Sequence, residues 1–94
     1  MVQLQKFNPD ISSAPVTTQL HSAEFYNIRG TEKADKGDLH SALEDFTLAI
    51  SLKPDEPKFY FNRASVKTDL GDIEGARQDF ELASRFSKNI HHFL

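Results

Sequence analysis

Apolar side chains recur every three or four residues after two glycine-aspartate pairs, Gly37-Asp38 and Gly71-Asp72. This spacing places the side chains on one face of an α-helix. Glycine typically follows the end of a helix, and aspartate typically caps the start of the next one. Each pair therefore predicts a tight turn with aspartate as the N-cap, and Asp55 or Glu56 caps a further helix that has Pro57 in its first turn. The predicted helices span roughly residues 20–36, 39–52, 57–70 and 73–87.

The two turns lie 34 residues apart, and the chain repeats itself at this period. Residues 23–56 align with residues 57–90 without a gap, which predicts two copies of one helical hairpin. Small residues recur where paired helices must approach closely, and large ones fill the spaces between them. The identical pairs are Phe25/Phe59, Tyr26/Tyr60, Arg29/Arg63, Lys33/Lys67, Asp35/Asp69, Gly37/Gly71, Asp38/Asp72, Ala42/Ala76, Asp45/Asp79, Phe46/Phe80, Leu48/Leu82 and Ala49/Ala83.

The repeated residues resemble the signature of the tetratricopeptide repeat. They are Tyr26, Gly30, Gly37, Ala42, Phe46, Ala49 and Pro54 in the first unit, and Tyr60, Ala64, Gly71, Ala76, Phe80 and Ala83 in the second. The resemblance implies an all-α fold, a four-helix fragment of a right-handed superhelix built from αα-hairpins. Two departures stand out. Lys88 replaces the usual closing proline, and Lys33 and Lys67 replace an aromatic residue, which predicts a more charged groove edge.

The resemblance also implies a concave groove lined by the first helix of each unit, which receives a peptide or a protein surface. Its candidate binding residues are Glu24, Asn27, Thr31, Lys58, Phe61, Asn62 and Ser65, flanked by Ala34, Asp35, Thr68 and Asp69. Phe61 is either an anchor for a partner or filler beneath the N-terminal arm, and the polar residues are alternatively a solvated face. A clamp for chaperone tails is disfavoured, because only Asn62 occupies one of its positions.

Charged residues recur at equivalent positions of the two predicted hairpins. Arg29 and Arg63 lie on the first helices, and Asp45 and Asp79 lie on the second helices. The simplest interpretation is a structural arginine-aspartate pair that fixes the register of the two helices in each hairpin.

Both chain ends depart from the repeat. Residues 1–22 contain two turn signals and predict an extended arm that is either packed or disordered. Residues 91–94 are in phase with the start of a third unit, which would leave the outer face of the last helix partly uncovered. That face, formed by Phe80, Phe86, Phe93 and Leu94, predicts self-association, for example as a homodimer, as the alternative to groove binding.

Composition narrows the functional class. The net charge of -3 argues against nucleic acid as a partner, and the absence of cysteine excludes disulfides and thiolate metal sites. No signal peptide or membrane-spanning run is present, so we expect a cytoplasmic protein, and its repeats resemble the bacterial style. The four histidines form no catalytic or metal-binding pattern. The sequence therefore predicts a non-enzymatic adaptor or assembly factor that has no cofactor and binds another protein or peptide.

Overall fold

A computed structural model of the chain describes residues 21–92, and the side chains of residues 21–88. It contains four helices: α1 (Ala23–Asp35), α2 (Leu39–Leu52), α3 (Pro57–Asp69) and α4 (Ile73–His92). The most extensive contacts are between α1 and α2 and between α3 and α4, while α2 also packs on α3 and α1 touches α3. No strand occurs between residues 21 and 92. The described chain is thus two stacked helical hairpins, which confirms the all-α repeat fold.

Both glycine-aspartate turns adopt the backbone geometry that the sequence predicts. Gly37 has a φ of 85° and Gly71 a φ of 87°, in the left-handed region that favours glycine. The amide of Asp38 donates to the carbonyl of Lys33, and the amide of Asp72 donates to the carbonyl of Lys67. These bonds close the ends of α1 and α3 as Schellman motifs.

The capping predictions are confirmed only in part. The Asp72 side chain accepts a hydrogen bond from the Gly75 amide at 3.0 Å. Asp38 occupies the N-cap position of α2, but its side chain makes no capping bond, and neither does that of Glu56 before α3. The first helix begins at Ala23 because the Ser22 hydroxyl caps it by accepting from the Phe25 amide.

The core runs through the joint between the hairpins in two clusters. Tyr26, Ala49 and Phe59 form one cluster, and Ala42, Phe46 and Val66 form the other. A Cβ atom placed on Gly30 would lie 2.8 Å from Cε1 of Phe46, so α1 approaches α2 too closely for any larger residue. This confirms the predicted alternation of small and large residues.

The fourth helix is longer than the sequence predicts. It continues to His92, whereas the prediction ended it near residue 87. The reason lies at Lys88, which keeps the backbone N–H that the family's usual proline lacks and so allows the helix to propagate. Residues 91 and 92 therefore continue α4 instead of starting a separate element. The N-terminal arm up to residue 20, together with Phe93 and Leu94, lies outside the described residues.

Candidate protein-binding surfaces

The predicted arginine-aspartate pairs are present and bidentate. Arg29 donates from Nε and Nη2 to the two carboxylate oxygens of Asp45, both at 2.9 Å. Arg63 holds Asp79 in the same way at 2.7 and 2.9 Å. Both aspartates are buried. Each pair joins the two helices of one hairpin, so both carboxylates are committed to the fold.

Lys33 and Lys67 belong to the same buried networks. Their Nζ atoms lie 3.1 Å from Oδ2 of Asp45 and Oδ2 of Asp79, respectively. The two lysine ammonium groups therefore do not supply the more charged groove edge that the sequence predicts. Each lysine packs its aliphatic stem where the family usually has an aromatic ring and turns its ammonium group onto the buried carboxylate.

These contacts set the ionisation of the two aspartates. Burial by itself raises the pKa of Asp45 and of Asp79, but the hydrogen bonds and charges of their arginine and lysine partners outweigh it. The net pKa of each carboxyl group lies below its ordinary value. Both side chains therefore remain ionised in the folded protein.

Acid is expected to destabilise the fold through these two groups. Because their pKa values are lower in the folded state, their contribution to stability is complete above the unfolded value, about 4, and is lost as the pH falls through the folded values. Urea unfolding at neutral pH and in acid measures this loss, and the Asp45→Asn variant should lose less. An unfolding free energy that is equal at about pH 7 and about pH 3 would contradict the expectation.

The concave surface between α1 and α3 contains a depression of about 250 Å³. Phe46 lies at its base, and most of its lining is polar. The hydroxyl of Thr31 is engaged, because it donates to the carbonyl of Asn27. The lining residues are Thr31, Ala34, Asp35, Phe46, Asn62, Ser65, Val66 and Asp69. Of the candidate binding residues, the structure brings Thr31, Asn62 and Ser65 together here, along with Ala34, Asp35 and Asp69 of the flanking set.

Asn27 and Glu24 connect the two first helices. Nδ2 of Asn62 donates to Oδ1 of Asn27 at 2.8 Å, and Asn27 is buried. The Lys58 ammonium group lies 2.9 Å from Glu24, and both side chains are about half exposed. The structure thus places Asn27 between the hairpins rather than on an open surface, while Glu24 and Lys58 form an exposed bridge.

Phe61 lies at the open side of the second hairpin. Its ring is 56% exposed and packs edge-on against Phe80, with the ring centroids 5.3 Å apart. Ile73 is also largely exposed beside them and, with Phe80, lines a neighbouring depression of about 440 Å³. Sequence reasoning missed Ile73. The signal was available in the sequence, because Ile73 is apolar and aligns with the apolar Leu39 at the 34-residue period.

Phe86 does not share the face of Phe80. Its ring stacks on Tyr60 of α3 at a centroid distance of 5.4 Å, so it faces the hairpin interior. The two phenylalanines are six positions apart, which separates them by roughly 120° around a helix. Phe93 and Leu94, the other residues expected on that face, lie outside the described residues.

The sequence pattern of the tetratricopeptide repeat family matches residues 23–56 and 57–89. The match covers most of the chain and coincides with the two hairpins, so the chain belongs to this family. Repeats of this family mediate protein–protein interactions. Among curated proteins, none matches the chain in sequence.

Two further properties of residues 21–92 concern membranes and metal ions. None of the four helices is long and apolar enough to cross a membrane. Residues 21–92 also contain no cluster of three or more histidine or acidic side chains that could hold a metal ion.

Proposed function

We propose that the chain is a non-enzymatic protein-interaction module, an adaptor or assembly factor, that receives an extended peptide or a protein surface in the groove between α1 and α3. The observation that carries the proposal is the depression between these helices, where side chains from both repeats converge. Such a concave surface, formed by rigid helices, presents a fixed array of polar groups to a partner.

The free charge in this groove is negative. The lysines of α1 and α3 are engaged: Lys33 and Lys67 on buried aspartates and Lys58 on Glu24. The carboxylates of Asp35 and Asp69 are exposed and make no hydrogen bond or ion pair with any described residue. They occupy equivalent positions on α1 and α3 and line the same depression. This arrangement favours an occupant that brings a basic side chain to the groove.

A peptide that binds the chain, selected from a displayed library, should bind more weakly when the carboxylates of Asp35 and Asp69 are neutralised. We expect the double variant Asp35→Asn with Asp69→Asn to bind such a peptide roughly tenfold more weakly, because a desolvated charge contact is removed. Fluorescence anisotropy with the labelled peptide measures the loss.

The matched control removes the same charge elsewhere. Glu44→Gln combined with Asp55→Asn alters two exposed carboxylates outside the groove lining and should leave the affinity unchanged. If both double variants weaken binding equally, only the net charge matters and the groove is not the site. If neither does so, the groove proposal fails.

A further inference from the structure

The stacked hairpins expose apolar side chains at both ends. At the first end, α1 presents Phe25 and Ile28, the latter 52% exposed. At the other end, Phe61 of α3 and Phe80 of α4 are similarly exposed. We call these surfaces the N-terminal end face (Glu24, Phe25, Ile28 and Arg29) and the C-terminal end face (Lys58, Phe61, Phe80 and Glu81).

The joint between the two hairpins shows how such faces fit together. There α3 lies on the surface of α1 and α2, and Phe59 of α3 packs against Tyr26 and Ala49. Because the units repeat every 34 residues, each residue of this joint has an equivalent on one of the two end faces. Three polar contacts complete the joint: Asn62 with Asn27, Lys58 with Glu24, and Arg63 with Thr47.

We propose that a second copy of the chain docks head to tail, with its α1 on the C-terminal end face in the place that α3 takes on α1 and α2. The shift by one repeat turns the buried amide pair into an apolar pair. Asn62 corresponds to Ile28 of the second copy, and Asn27 corresponds to Phe61. Because both asparagines are replaced by apolar residues, Ile28 of the second copy would contact Phe61. Phe25 of the second copy takes the place of Phe59.

The charged contacts also remain complementary after the shift. The bridge from Lys58 to Glu24 becomes a bridge from Glu24 of the second copy to Lys58, so that glutamate and lysine alternate along the stack. The contact between Arg63 and Thr47 becomes a contact between Arg29 of the second copy and Glu81. The neutral hydroxyl acceptor of Thr47 is thereby replaced by the carboxylate of Glu81. An assembly of unrelated surfaces would not preserve charge complementarity at both positions.

Arg29 has the donor that this contact needs. Within the hairpin it binds Asp45 through Nε and Nη2. Arg63 binds Asp79 through the same two nitrogens and reaches Thr47 with Nη1 at 3.2 Å. The Nη1 atom of Arg29 makes no such contact within the described residues, so it is available to Glu81. Glu81 already pairs with Arg77 but is more than half exposed and has room for a second donor.

The two faces differ, so the contact is heterologous and extends into a stack or closes into a ring. This assembly goes beyond the proposed groove binding, because it uses the ends of the hairpin stack. The groove remains open in every copy, and stacking would line up the grooves of successive copies.

A mixture of two variants, each with one end face disrupted, tests the proposal. Ile28→Asp alters only the N-terminal end face, and Phe61→Asp alters only the C-terminal end face. Both side chains are more than half exposed, so each variant should keep the helical circular dichroism of the wild type. In sedimentation experiments we expect the wild type to exceed the mass of a dimer as its concentration rises, and each variant alone to stay monomeric. An equimolar mixture of the two variants should form a one-to-one dimer, because each supplies the face that the other lacks.

Leu52→Asp is the matched control, since it introduces the same charge at another exposed apolar position of α2. It should assemble like the wild type. A wild type that remains monomeric into the millimolar range would overturn the proposal. A wild type that does not grow beyond a dimer would also overturn it. The same holds for a mixture of the two variants that stays monomeric, because either result shows that the two end faces do not bind each other.

Discussion

Replacing Asp79 by alanine is expected to lower the free energy of unfolding by about 3–5 kcal/mol, the usual cost of leaving buried charges unpaired. Asp79 is 2% exposed and holds both Arg63 and Lys67. The Arg63 side chain is only 17% exposed, so water cannot replace the lost carboxylate. Urea unfolding followed by circular dichroism measures the change. A small helical domain has little stability to lose, and the variant should be largely unfolded at body temperature.

The equivalent variant in the first hairpin provides the control. Asp45→Ala removes the same contacts from Arg29 and Lys33, but the Arg29 side chain is 42% exposed. Its stranded guanidinium group can hydrate, so the loss should be clearly smaller than that for Asp79→Ala. Equal losses in the two variants would show that the exposure of the cation does not set the cost. A loss below about 1 kcal/mol for Asp79→Ala would contradict the role of the buried network altogether.

The two arginine-aspartate networks show which contacts can be predicted from the internal repeat. The arginine-aspartate pairs could be predicted because the same residues recur at the same positions of both hairpins. Lys33 was misplaced on the groove edge, although it lies four residues after Arg29 and such residues share one face of a helix. The spacing is sufficient to place Lys33 beside Arg29, whereas the family pattern, which has an aromatic residue at this position, gives no charged partner for Asp45.

The turns were predictable for a different reason. A Schellman motif depends on a glycine with positive φ and on bonds within six residues, so Gly37 and Gly71 specify it locally. The contact between Asn27 and Asn62 spans 35 residues and depends on how one hairpin rotates onto the next. No local pattern contains that rotation, so the burial of Asn27 emerged only from the packed structure.

Truncation of Phe46 is expected to have an effect as large as that of Asp79→Ala. Phe46 is 1% exposed and packs between Ala42, Val66 and the backbone at Gly30. Phe46→Ala would leave a cavity that these helices cannot close without disrupting both hairpins, at a cost of about 3–5 kcal/mol. Thermal and urea unfolding of the purified chain measure this cost, and we expect the variant to be largely unfolded or molten.

Phe80 is the natural comparison, because it occupies the same position in the second repeat but is 39% exposed. In a monomer, Phe80→Ala should cost less than half as much as Phe46→Ala, since less of its surface is buried and no further hairpin among residues 21–92 covers it. Head-to-tail stacking would make the stability loss caused by Phe80→Ala depend on the protein concentration. A second copy would bury Phe80, and binding to the folded state raises apparent stability by mass action. The loss caused by Phe80→Ala should therefore grow as the protein concentration is raised, while that caused by Phe46→Ala is large even in dilute solution. A Phe80→Ala loss that is the same at all concentrations would contradict the proposed head-to-tail stacking, which buries this ring.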